Sequence, residues 1–143
     1  MHEAQAMGYL SFMIAFTFLK FTYALFLSLQ IESSFLKFGR RGNKPGEFKE
    51  PYGVAVNFAG YIYVTDFINN RVQAFDSMGK VWMSFGNKGS RDGQFLGPTG
   101  IAIDSTGIVF VSDWDNHRVQ LFSPNGKFIG KFGSLGEQLY VIT

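Results

Sequence analysis

Asp113–Phe122 reads DWDNHRVQLF, and Asp66–Phe75 reads DFINNRVQAF, the same phrase 47 residues upstream. Working outward from the two copies, Gly39–Phe85 aligns with Gly86–Phe132 without a gap, and 18 of the 47 positions are identical. Identity of that extent at a fixed period marks a duplicated structural unit. The shared positions are of turn and core type: Gly39/Gly86, Phe48/Phe95, Pro51/Pro98, Gly53/Gly100, Asp66/Asp113, Arg71/Arg118, Phe75/Phe122 and Phe85/Phe132.

Each unit holds four short apolar runs. In the first unit they are YGVAV (52–56), YIYVTD (61–66), RVQAF (71–75) and VWMSF (81–85). In the second they are TGIAI (99–103), IVFVSD (108–113), RVQLF (118–122) and FIGKF (128–132). Gly60, Gly79, Gly107 and Gly126 close the intervening turns and supply the positive φ that tight hairpins need. In the third run Val72 and Ala74 alternate with Arg71, Gln73 and Phe75, so both faces of that strand require cover. The first run is small and apolar throughout, as fits a strand beside a crowded axis. Four antiparallel strands recurring at 40–50 residues form the blade of a β-propeller. The expected fold is therefore all-β: a partial β-propeller of two complete four-stranded blades, 39–85 and 86–132, within a repeat region spanning 35–138. FLKF (35–38) reads as one stray blade strand, and 139–143 as a truncated tail after a further linker has begun. On this reading the chain is a fragment of a longer propeller, or copies self-assemble to complete one, three pairs of blades making a six-bladed ring.

The chain has no cysteine, which excludes a disulfide framework, cysteine zinc sites and a thiol nucleophile. His2 and His117 are the only histidines, too few for a histidine-rich metal centre, and no metal or cofactor is expected. The net charge of +2 selects no partner by itself, so the placement of charge matters more.

The combined pattern P-x-G-[VI]-A-[VI], G-x-[IV]-[YF]-V-[TS]-D and N-x-R-V-Q-x-F resembles the NHL repeat, a propeller blade family. The linkers FGRRGNKPGEF and FGNKGSRDGQF look most like those in the NHL propellers of animal tripartite-motif E3 ubiquitin ligases. WD repeats are the near alternative, but their Gly-His and Trp-Asp signatures are absent, and DWD (113–115) falls in a loop. The resemblance implies a recognition module for RNA or protein in the cytoplasm. It also implies that ligase activity belongs to a RING domain absent from this chain, which has no cysteine and no heptad stretch. Propeller lyases depend on metal-binding side chains that this sequence lacks, so the chain is read as non-enzymatic.

The repeated phrase itself reads as a structural turn motif, Asp66, Asn69, Arg71 and Asp113, Asn116, Arg118. An Asp/Arg pair across a short turn can satisfy the turn's amides and each other's charge, with the asparagines in left-handed or Asx conformation. His117 is replaced by Asn70 in the first copy, which argues against a catalytic histidine. No nucleophile elbow accompanies Ser112, Asp113 and His117, and neither GRRG nor GNKG forms a phosphate loop.

Because strands alternate in direction, the second-to-third turns and the long linkers emerge on one face. That face gathers Arg40, Arg41, Lys44, Lys49, Lys88 and Arg91 with Tyr52, Phe67, Trp114 and His117. Cations neutralise phosphates and rings stack on splayed bases, so this basic and aromatic face suits single-stranded or hairpin RNA, or a protein; an ordinary solvated rim is the plainer alternative.

Residues 1–34 differ from the rest. Met7–Ile31 is an apolar run whose only charge is Lys20, long enough to span a bilayer as a helix. It reads as a transmembrane anchor, a signal peptide or a mistaken chain start. As an anchor it would tether the propeller to a membrane, and a secreted or membrane-tethered interaction module is the competing reading.

Overall fold

A computed structural model describes residues 29–31 and 34–136. In chain order its strands are β1 Leu29–Ile31, β2 Ser34–Leu36, β3 Arg40–Arg41, β4 Glu47–Phe48, β5 Pro51–Val56, β6 Ile62–Asp66, β7 Arg71–Phe75, β8 Val81–Phe85, β9 Pro98–Ile103, β10 Val109–Asp113, β11 Arg118–Phe122 and β12 Phe128–Phe132. Apolar and β-branched residues bounded by glycine turns make each repeat run a strand, and its faces are covered by the neighbouring sheet and linkers.

The eight repeat strands form two antiparallel meanders, β5-β6-β7-β8 and β9-β10-β11-β12, one sheet per repeat. The chain is thus all-β, with the sheet architecture of a partial propeller. Pairing of Tyr63 with Ala74 and of Thr65 with Val72 places these four on one face of the first sheet. Ile62, Val64, Gln73 and Phe75 occupy the other face.

The first of those faces is where the second blade docks. Tyr63, Val72 and Ala74 share a core with Phe95, Ile101, Val109, Val111 and Phe122, all buried. Each fully buried side chain of this size contributes about 1.5–3 kcal/mol of transfer free energy. The two first strands, β5 and β9, run against each other at the inner end. There Thr65 Oγ1 accepts from Gly53 N at 2.7 Å and donates to Thr99 O at 2.6 Å, clasping the sheets together. Only glycine fits at position 53, since a Cβ there would stand 2.5 Å from Thr99 O. The Tyr63 hydroxyl donates to Pro124 O at 3.0 Å, and burial pushes its pKa up, keeping it a donor.

The stray strand of the sequence reading is half of a hairpin: Leu29 pairs with Leu36 and Ile31 with Ser34. The end of the apolar run is therefore strand, its amides and carbonyls paired across that hairpin. Residues 7–28, on which the anchor and signal readings rest, and the tail 139–143 lie outside the described residues. Among the described residues no helix is long and apolar enough to cross a membrane. Phe38 lies 4.8 Å from Phe75, the relation Phe85 has to Phe122 one repeat later.

Both outer strands carry a bulge. Ala74 pairs with Met83 and Phe75 with Val81, leaving Trp82 as the extra residue; in the second blade Ile129 is skipped in the same way.

Candidate functional site

The linker before each first strand has a few bonds of its own, such as Gly42 N to Phe48 O, and the site begins with the side chains that anchor it to the blade. Asp66 and Arg71 face each other at the end of the β6–β7 hairpin, as Asp113 and Arg118 do at the end of β10–β11. The buried Asp66 carboxylate accepts from the amides of Lys49 and Glu50 and from Asn69 Nδ2. The Asp113 carboxylate accepts from the Leu96 amide at 2.7 Å, from Asn116 Nδ2 at 2.8 Å and from Arg118 Nε at 2.8 Å. The amides so satisfied belong to the linker rather than to the turn.

The asparagines differ from expectation as well. The left-handed positions are Asn70 and His117, each at φ 52°. Asn69 and Asn116 instead use their side chains to donate to the linker carbonyls of Gly42 and Gly89. The ion pair is present in the second blade, where Arg118 is 2.8 Å from Asp113. In the first, Arg71 Nη2 donates to Lys44 O and Glu47 O, and no pair with Asp66 forms.

Gln73 and Gln120 complete the grip, and the sequence reading did not single them out. Each is fully buried; its Oε1 accepts from Gly46 N or Gly93 N at 2.9 Å, and its Nε2 donates to Glu47 O or Gln94 O. Their identity in both copies of RVQ was the available signal. The first linker has one further tie, since Glu47 accepts from Arg40 Nε at 2.9 Å and from the Lys44 amide at 3.0 Å. The Lys44 amide, and after it the Arg40 guanidinium, hold the Glu47 carboxyl below its usual range. Gln94 stands in that place in the second linker, accepting from the Arg91 amide.

On these held loops the cations sort into two kinds. Arg40 is tied to Glu47, whereas Arg41, Lys44, Lys49, Lys88 and Arg91 are exposed and, among the described residues, have no carboxylate within ion-pair distance. The aromatics sort as well. Phe67 is half-buried, seated where a Cβ on Gly97 would lie 2.6 Å from its ring, with the Tyr52 ring tilted beside it at 6.2 Å between centroids. Trp114, one repeat later, is 65% exposed. Asn70 Oδ1 accepts from Gly97 N and so pins the second linker to the first blade. His117 occupies the matching position on the second blade, lining a hollow with Ser112, Asp113 and Trp114. No hydrogen bond joins the His117 ring to Ser112 or Asp113 among the described residues, and the Asp113 carboxylate is already engaged by four donors. The hollow therefore lacks the connected nucleophile, base and orienting acid of a triad.

Residues 95–122 match the family described as NHL repeat. Over 44 residues, 31% of this chain, the sequence is 52% identical to the B-box type zinc finger protein ncl-1 of Caenorhabditis elegans, covering 5% of it. Over the same share of the chain it is 50% identical to the protein brain tumor of Drosophila melanogaster, covering 4% of that protein. It is 46% identical to the E3 ubiquitin-protein ligase TRIM71 of Bos taurus, covering 5%. The match thus takes in about a twentieth of the length of these relatives. Among solved structures, the calcium-binding protein regucalcin of Agrobacterium tumefaciens aligns with a TM-score of 0.51 and 18% identity, over 73% of this chain and 34% of that one. That likeness concerns the fold alone.

Proposed function

We propose that this chain, whose second blade carries an NHL repeat, is a non-enzymatic recognition module that binds single-stranded or hairpin RNA on its linker face. The observation that carries the reading is the set of five exposed cations, Arg41, Lys44, Lys49, Lys88 and Arg91, unpaired among the described residues, on loops whose backbones are held by buried side chains. A held loop loses little conformational entropy when a phosphate docks, so charge placed on it is more effective than charge on a free tail. Trp114 offers an exposed ring for a base, worth about 1–3 kcal/mol per stacked base. Phe67 and Tyr52 support the face from beneath. In a longer protein of the tripartite-motif kind, such a module would deliver bound targets to a ligase domain in the cytoplasm.

Fluorescence anisotropy of labelled single-stranded RNA, titrated at several salt concentrations, tests the reading. Binding should weaken with salt, and the triple variant Arg41→Glu/Lys44→Glu/Lys49→Glu should flatten the log–log salt slope by roughly 2, the share of three phosphate contacts on a single strand. Salt-insensitive binding, no binding, or an unchanged slope in the variant would refute the RNA reading and direct the search to a protein ligand.

A further inference from the structure

The linkers 39–50 and 86–97 contain a single hydroxyl between them, that of Ser90; Asn43 stands at the matching place in the first linker. Ser90 is exposed, and among the described residues its hydroxyl has no hydrogen-bond partner. Its carbonyl accepts from Arg118 Nη1 at 2.9 Å. The backbone is thus held by the blade while the side chain stays open to solvent.

Charge around this hydroxyl is of one sign. Lys88 lies two residues before it and Arg91 one residue after, both exposed and, among the described residues, without an ion-pair partner. Asp92, the acid of the same linker, lies 2.6 Å from Lys131 Nζ and 3.9 Å from Arg118 Nη1. Asp115 sits at the other end of the linker, where its amide donates to Leu96 O. Other exposed hydroxyls have a different setting. Ser77 and Ser105 directly follow Asp76 and Asp104, and the Thr106 hydroxyl donates to Asp104.

We propose that Ser90 is a phosphorylation site for a protein kinase that selects basic sequences, and that the phosphate switches off RNA binding. The switch rests on the RNA reading above; the site does not. A kinase cleft lined with acids is complementary to flanking cations and repelled by flanking aspartates. The γ-phosphoryl of ATP passes to Ser90 Oγ: the Oγ–P bond forms, the bond from phosphorus to the bridging oxygen breaks, and ADP leaves with that electron pair. The hydroxyl proton goes to the base of the kinase. The product carries about −1.5 to −2 of charge, which Lys88 and Arg91 are placed to pair with. Arg41, Lys44 and Lys49 remain for RNA, so two phosphate contacts are lost. Each contact scales as roughly the 0.7 power of salt concentration on a single strand, and two together are worth about tenfold at about 0.15 M salt.

The test treats the full chain and its Ser90→Ala variant with the catalytic domain of protein kinase C and magnesium ATP. Intact mass and peptide mapping read the site, and RNA anisotropy reads the switch. The parent should gain one phosphate at Ser90, bind RNA about tenfold more weakly and show a log–log salt slope flatter by about 1.4. Phosphatase should restore its affinity, and kinase-treated Ser90→Ala should bind as the untreated parent does. No phosphate at Ser90 would overturn the site. Unchanged RNA affinity in the phosphorylated protein would overturn the switch. If the untreated chain binds no RNA, the RNA reading falls and the switch with it, while the mass still decides the site.

Discussion

Gln120 and Arg91 lie in the same blade yet have opposite energetic standing. Gln120 is fully buried and bonds Gly93 N, Gln94 O and Asp113, whereas Arg91 projects into solvent. Gln120→Leu strands the Gly93 amide, while Gln94 O keeps its bond from Arg118 Nη2, so chemical denaturation should show a loss of about 1–3 kcal/mol. Arg91→Ala should stay within about 0.5 kcal/mol. Equal losses would mean that the glutamine does not hold the linker. Glu47 sets a second contrast. Its folded pKa lies below the ordinary 4.5, so the stability it adds is present above that value and is lost as pH falls through the lowered one. Glu47→Gln copies Gln94 of the second linker. The thermal midpoint of the parent should therefore drop more steeply than that of the variant between about pH 5 and pH 3. Parallel curves would show that the carboxylate adds nothing.

The hairpin and the linker act as one element. Every long tie from Asn69, Arg71 and Gln73 reaches back more than twenty residues, and each recurs in the second blade from Asn116, Arg118 and Gln120. Blade joins to blade at a different element, the first strand. Gly53→Ala would drive a Cβ to 2.5 Å from Thr99 O and to 3.2 Å from Thr65 Oγ1, in a place where backbone must move. A cost of about 1–3 kcal/mol is expected from such overpacking. Gly100→Ala is its repeat partner, and there the nearest atom is the Ser112 hydroxyl at 3.3 Å, with no further blade behind it among the described residues. Thermal unfolding should show the first substitution to be clearly the more damaging. A reversed order would mean that the clasp does not couple the sheets.

At the scale of the molecule, two ends of one pair of sheets carry different chemistry. Among the described residues, the linker end gathers cations without ion-pair partners on held loops, and the far end has exposed apolar turn tips, Phe58 and Met78, on the first blade where the second has Ser105 and Asn125. The identical residues of the 47-residue period made the blades legible, because glycine turns and alternating strands are local requirements visible at short range. Pro51–Val56 and Pro98–Ile103 each begin one residue before the expected runs, and β6 and β10 each begin one residue after. The pairing of β3 with β4 was not legible, since a parallel two-residue ladder leaves no period in the sequence.

The candidate site was legible as a set of residue types but not as a set of roles. Phe67 and Trp114 look equivalent in sequence; one is seated on Gly97 and the other is open, because only the first has a following linker against it among the described residues. Arg40 and Arg41 are neighbours, and only the fold brings Glu47 to the first of them. The choice between Asn69 and Asn70 for the left-handed position turned on a single residue of register within the turn. Sequence by itself determined the repeat, the four strands of each blade and the side of the sheets on which the basic loops emerge, since these follow from periodicity and strand direction. Tertiary structure alone decided which cations are free, which rings are exposed and what the repeated phrase holds, because those outcomes depend on hydrogen bonds and packing between residues far apart in the chain.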